Sequence, residues 1–299
     1  MRRDCPGLPK RGGYFEGWYF KQQNKTEMLA LIPAFHTDRR GRATASLQVV
    51  TDNQTCSADF PAAALYYNRK RLFIRLGGST FTEQGCSLDV KAGGCVLQGA
   101  LRFGPFIPPA YDIMGPFRFL PWMECRHSVL SLSHRVDGDL TFNGRRYLFE
   151  NGLGYLEGDR GTSFPRRYLW TQYCWEGNSI MLSVADIPLG TGSFVGCIGT
   201  ILLDGKEYRI ATYRGVKLLH IGESGVLLRQ KDLVLKIKLI KGLSHPLYAP
   251  HQGEMNRIIR ESPSCSVQYS CFMGDETLFD FVTKRASFEG NWGKPKLPA

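Results

Sequence analysis

Turn signals recur so closely along this chain that mostly short strands fit between them. Asp137-Gly138, Asn143-Gly144, Asn151-Gly152 and Asp204-Gly205 are hairpin-type dipeptides, and the 33 glycines and 12% aromatic content extend the same punctuation to the whole chain. Between them lie runs such as Ala43–Val50, Cys95–Phe103, Leu169–Trp175 and Leu233–Ile240, of strand length and composition. Glu124–Val136 alternates, with Val129, Ser131 and Ser133 on one face and Leu130, Leu132 and His134 on the other. Helix spacing is confined to Gln252–Glu261, where Met255, Ile258 and Ile259 share a side, so one short helix is expected at most. The expected class is all-β, a sandwich or barrel.

A second pattern divides the chain. Tyr14-Phe15-Glu16-Gly17 is echoed by Tyr155-Leu156-Glu157-Gly158, 141 positions later. Phe81–Val90 matches Val226–Leu235, and Gly99–Ala110 matches Gly242–Pro250, at offsets near half the chain. Such spacing predicts one β-unit used twice, with domains at residues 1–145 and 146–299.

Gly104–Trp122 interrupts the strand pattern. Its five prolines forbid a regular ladder, because proline donates no backbone hydrogen bond. So apolar a loop must be covered, either as a lid on a barrel mouth or as filler between domains. Gly190–Gly196 lacks the spacing and the following helix of a dinucleotide loop and reads as a turn.

The formal charge of +11 would attract anionic surfaces. The basic residues are scattered in short groups such as Arg39-Arg40 and Arg145-Arg146, so a solvated surface is expected and no nucleic-acid partner. An anionic membrane surface remains a candidate peripheral contact. Without a signal-like or membrane-spanning apolar run, the expected location is the cytoplasm. The nine cysteines show no metal-ligand spacing, and in a reducing compartment they read as buried or surface thiols. No metal is expected.

The chemistry-bearing residues are few. Glu16 and Glu157 sit among aromatic residues, where lost hydration raises a carboxyl pKa and makes a general acid; each equally reads as a structural hydrogen-bond acceptor. Asp159 departs from the first repeat. Glu124 and His127 bring an acid and an imidazole directly after the proline loop, beside Phe117 and Trp122. Trp18, Tyr19, Phe164 and Trp170 add aromatic surface that suits either a core or a cavity for an apolar ligand. No Ser-His-Asp pattern or phosphate loop occurs.

Together, Phe15–Lys21 (FEGWYFK), Ile113–Cys125 (IMGPFRFLPWMEC) with His127, Gly154–Pro165 (GYLEGDRGTSFP) with Trp170, and Ala249–Ser262 resemble the tocopherol cyclase family in its shorter bacterial form. The resemblance covers nearly the whole chain. It implies two lipocalin-like barrel domains and cyclisation or hydration of a prenylated hydroquinone or other isoprenoid-type alkene, without redox cofactor or metal. A carboxyl would protonate the alkene, with Asp159 or Glu157 as acid, His127 or Glu124 as partner, and Trp18, Trp122 and Trp170 as cavity wall. The same scaffold also suits a carrier of a hydrophobic small molecule. Where bacterial members of the family carry Glu-Lys-Asp-Trp-Gly, this chain has Glu157-Gly158-Asp159-Arg160-Gly161, so Arg160 is expected to line the cavity and to pair with Asp159.

Overall fold

The computed structural model describes residues 13–68, 70–242 and 245–293; Cys5 lies outside them. Among the described residues there is no α-helix, only strands and three single 3-10 turns, the longest at Gly115–Phe119. Two antiparallel sheets account for the strands. The first contains β1 (Tyr14–Gln23), β2 (Met28–Thr37), β3 (Ala43–Thr51), β4 (Thr55–Pro61), β5 (Leu65–Asn68), β6 (Phe73–Leu76), β7 (Ser79–Thr82), β8 (Gly85–Ala92), β9 (Cys95–Phe103), β10 (Cys125–Phe142) and β11 (Arg145–Gly161). Its order is β4-β3-β2-β1-β11-β10-β9-β8-β7-β6-β5.

The second contains β12 (Tyr168–Trp175), β13 (Asn178–Leu189), β14 (Gly192–Leu203), β15 (Lys206–Ala211), β16 (Lys217–Gly222), β17 (Gly225–Gln230), β18 (Leu233–Lys241), β19 (His245–His251), β20 (Glu254–Met273) and β21 (Glu276–Gly290). Its order is β15-β14-β13-β12-β21-β20-β18-β17-β16, with β19 added beside β20. Curled antiparallel sheets of this kind make a lipocalin-like fold.

The two orders match strand for strand over most of their length, which is the duplication expected from the sequence. The echo that announced it has another origin. Tyr14–Gly17 and Tyr155–Gly158 lie on β1 and β11, which are paired neighbours in one sheet, Tyr19 opposite Glu157 and Gly17 opposite Asp159. In the repeat, β1 corresponds to β12 and β11 to β21. A more faithful marker is Gly85 and Gly225, which open β8 and β17 with the same φ of 150°. In each, a Cβ would collide with a carbonyl oxygen of the next strand, Leu101 or Ile237.

Two compact units emerge, the first of residues 1–112, 124–164 and 246–259, the second of 113–123, 165–245 and 260–299. Residue 145, where the sequence divides the chain, falls in the β10–β11 hairpin of the first sheet. The core of the first unit is the interior of its curled sheet, built from alternate residues of every strand, including Phe20, Leu31, Leu47, Phe81, Leu97 and Leu156. Each such side chain contributes about 1.5–3 kcal/mol by burial. The second has its own core around Leu182, Ile201, Leu235 and Tyr269.

Three expectations are corrected. The helix over Gln252–Glu261 is instead a hairpin: Gln252 and Gly253 both take positive φ, which turns β19 directly into β20. The strict alternation of Glu124–Val136 is broken by register shifts between Val129 and Ser131 and between Ser131 and His134. The cysteines are not all thiols, because Cys56 on β4 is bonded to Cys95 on β9, with Cα atoms 5.9 Å apart. That pair removes the support for a reducing compartment. Burial pushes the free thiols of Cys86, Cys197 and Cys271 up to about 12, which leaves them inert. Among the described residues no helix is long and apolar enough to cross a membrane, a statement that leaves strands aside.

Candidate active site

The geometry of β1, β11 and β10 selects one group of residues. Tyr155, Glu157 and Asp159 alternate along β11 and therefore share one face, while Leu156 and Gly158 face the packed interior. β10 lies beside β11 with His127 opposite Asp159 and Val129 opposite Glu157, so His127 joins the same outward face. On the other side of β11, Gly17 stands opposite Asp159 and has no side chain to fill the space beside the carboxylate.

His127 lies between the two carboxylates. Its Nδ1 is 2.9 Å from Asp159 Oδ1 and its Nε2 is 3.3 Å from Glu157 Oε2, the second contact without hydrogen-bond alignment. Tyr155 donates its hydroxyl to the same Glu157 oxygen at 2.6 Å, and the Cys125 thiol approaches Asp159 Oδ1 at 3.5 Å. The side chains of Glu157 and His127 are 7% and 10% exposed, that of Asp159 20%, so Asp159 is the most accessible of the three.

Burial pulls the His127 pKa down, but Glu157, Asp159 and the hydrogen bond to Asp159 outweigh it and hold the pKa at about 9. The ring is thus an imidazolium at neutral pH. Burial, then Asp159, drives the Cys125 thiol well above its ordinary value, so it is no nucleophile.

His127, Glu157 and Asp159 are also the set able to hold a metal ion among the described residues, their ligand atoms lying within 4.8 Å of one another. The orientation favours a proton chain: each ring nitrogen faces a different carboxylate, and a single ion can use only one of them.

The other sequence candidates separate from this group. Glu16 faces the interior side of the sheet, where it accepts hydrogen bonds from Tyr14 (2.9 Å) and Tyr67 (2.8 Å). Trp18 is on that side too, edge-on to Tyr67. Glu124 accepts backbone hydrogen bonds at its carbonyl from Thr162 and Ser163, and its charge opposes the lowering of the Arg257 pKa by burial. Arg160 follows Asp159 on β11 and therefore projects from the opposite face, exposed to solvent. The expected Arg160–Asp159 pair is thereby overturned by strand alternation.

Tyr19 shares the outward face, buried opposite Glu157, and Phe164 packs edge-on to Phe15 there. Phe117, Trp122 and Trp170 belong to the second unit. There Phe117 packs on Phe194 and Tyr213, Trp170 is buried, and Trp122 is 49% exposed. Tyr155 was missed in the sequence, although its alternation with Glu157 and Asp159 could have marked it.

No family model and no curated protein matches this sequence. Solved structures do. A Nitrosomonas europaea protein provisionally named AttH superposes with a TM-score of 0.52 at 11% identity, over 97% of this chain and 99% of its own. This chain has the same lipocalin-like fold. Kievitone hydratase from Nectria haematococca gives a TM-score of 0.52 at 10% identity, over 94% of this chain and 89% of that one. At such identities the likeness concerns the fold alone. It is the fold that the tocopherol cyclase resemblance implies.

Proposed function

We propose that this protein is an acid–base enzyme, acting without a cofactor, that adds water to an isoprenoid-type alkene or closes a ring on it, with a prenylated hydroquinone as the substrate class. The observation that carries the reading is the buried His127 between Glu157 and Asp159. The hydratase among the proteins of like fold is consistent with it, as is the sequence resemblance.

The chemistry follows from the order of the groups. His127, charged at neutral pH, loads a proton onto Asp159, the most accessible member, while Tyr155 and Glu157 hold the ring. Asp159 delivers that proton to the less substituted alkene carbon, and the π electrons become the new C–H bond, leaving a tertiary cation. With its proton delivered, the cluster holds two carboxylates beside a neutral imidazole, and that negative charge stabilises the cation at short range. The phenol oxygen, or a water, then adds to the cation, and its proton returns to Asp159. Ring closure yields an isomer of the substrate; hydration yields a product heavier by one water.

A second reading, a carrier of a hydrophobic molecule, draws on a cavity of about 430 Å³ in the first unit. Turnover separates the two. Incubation with a prenylated hydroquinone should give ring-closed or hydrated product from the wild type, and Asp159→Asn and Glu157→Gln should lose turnover by at least about 100-fold while retaining binding. Substrate bound and recovered unchanged from the wild type would leave the carrier reading. The scattered basic surface supplies a peripheral contact with anionic lipid, which should weaken as salt shortens the Debye length.

A further inference from the structure

The proline-interrupted segment carries aromatic side chains that neither the acid cluster nor a core absorbs. Its stretch Ile113–Met123 belongs to the second unit and is tied down at its root. Ile113 and Met114 are buried, and the backbone N–H groups of Phe117, Leu120 and Met123 donate in turn to the carbonyls of Met114, Phe117 and Leu120. Tyr213 donates its hydroxyl to the Ile113 carbonyl at 3.4 Å and accepts from Arg209 Nε at 2.9 Å. Phe117 packs against Tyr213 and Phe194, with ring centroids 5.5 and 5.9 Å away. Pro116 and Pro121 fix two more φ angles. The turn is therefore held in one shape.

The rings at its tip are not covered. Phe119 is 73% exposed, more than any other large apolar residue among those described, and Trp122 is 49% exposed. Leu189, also exposed, extends the patch. It lies on β13 opposite Gly192, two positions beyond the Ile187–Phe194 pair, so alternation turns it to the face that Phe194 presents to Phe117. The cover expected for this loop from its sequence thus reaches Phe117 and stops short of Phe119 and Trp122.

Charge narrows what covers them. Between Asp112 and Glu124 the sole ionisable side chain is Arg118, which is exposed. Its guanidinium carbon lies 4.6 Å from the centroid of the Phe119 ring. A phenylalanine and a tryptophan beside one arginine suit a bilayer interface, where rings enter the acyl boundary and the cation meets phosphate. A protein partner fits less well, because a stable interface takes about 800 Å² from each side and this tip offers only a handful of residues.

We propose that Ile113–Met123 is an interfacial anchor that inserts Phe119 and Trp122 into the surface of an anionic phospholipid bilayer, with Arg118 at a headgroup phosphate. This contact differs in kind from an approach driven by the scattered basic surface. Attraction between charges lapses as salt rises, whereas burial of apolar rings does not. The anchor uses no member of the acid cluster, so vesicle binding and turnover fail independently of one another.

The test is co-sedimentation of the purified full chain with vesicles of equal parts phosphatidylcholine and phosphatidylserine, at low salt and again in about 1 M sodium chloride, where the Debye length is about 3 Å. The wild type should stay bound in both. Phe119→Ser and Trp122→Ser, at exposed positions where folding is spared, should each weaken partitioning by at least about tenfold. Arg118→Gln should weaken it about fivefold at low salt. Bromine-labelled phosphatidylcholine in the vesicles should quench Trp122 emission, a signal lost in Trp122→Phe, which should still bind. No binding by the wild type, binding that disappears in 1 M salt (about 3 Å screening), or binding undiminished in both serine variants would overturn the proposal. So would a wild-type dimer in solution that either serine variant splits, because the patch would then belong to a second copy of this chain.

Discussion

Replacing Asp159 by Asn should change how folding stability depends on pH, through His127. In the folded wild type the His127 pKa is held at about 9, burial being outweighed by Glu157 and Asp159, against an ordinary 6.5 in the unfolded chain. That difference corresponds to about 3 kcal/mol of folding free energy. Solvent screening removes little of it, because the side chain is only 10% exposed. The folded state binds this proton more tightly, so the contribution is complete below pH 6.5. It declines as pH rises and is gone above about 9. Asparagine keeps the shape and an acceptor oxygen but removes one of the two charges that sustain the imidazolium. The His127 pKa should then fall toward 6.5 and the pH window should narrow. Urea unfolding near pH 6, 8 and 10 measures this, with His127→Gln as the reference that lacks the group, and imidazole resonances followed by NMR report the titration directly. Stability curves that run parallel in wild type and His127→Gln, or a wild-type His127 midpoint at or below 6.5, would refute the reasoning.

Two further predictions concern the scaffold. The Cys56–Cys95 bond spans 39 residues, and chain-entropy arithmetic gives it about 4 kcal/mol of stabilisation; reductant or the double serine variant should lower the urea midpoint accordingly, and identical midpoints would show that the thiols are not joined. Gly85→Ala and Gly225→Ala each place a Cβ against a backbone carbonyl at φ 150°, so each should cost about 2 kcal/mol or more in thermal unfolding. An unchanged melting temperature in either variant would contradict the structural equivalence of the two positions.

The strand content was legible because turn dipeptides and period-2 runs are local signals, and the sheets confirm the all-β class. The duplication was legible only in outline. Tyr14–Gly17 and Tyr155–Gly158 look alike yet are ladder partners, and no local pattern distinguishes a pairing from a repeat. Gln252–Glu261 misled because Met255, Ile258 and Ile259 have helix spacing, whereas the positive φ at Gln252 and Gly253 commits the chain to a hairpin.

In the site, Glu157, Asp159 and His127 were each singled out from residue type and neighbourhood. Their separation from Glu16 and Trp18 depends on which face of the sheet each occupies. For β11 that face could be read from alternation, which also removes Arg160 from Asp159. For β10 it could not, because the shifts near Ser131 turn His134 to the interior. The Cys56–Cys95 bond likewise needs the closure of the curled sheet, which brings β4 beside β9 and leaves no trace in spacing.

Proton transfer from the His127–Asp159 pair to an alkene carbon is tested most directly by running the reaction in deuterium oxide. The purified protein would be incubated with a prenylated hydroquinone and the product mass read after exchangeable positions are washed back to hydrogen. The account predicts a ring-closed or hydrated product that keeps a single deuterium on carbon, and none from Asp159→Asn. Substrate recovered unchanged, or a product with no carbon-bound deuterium, would contradict it.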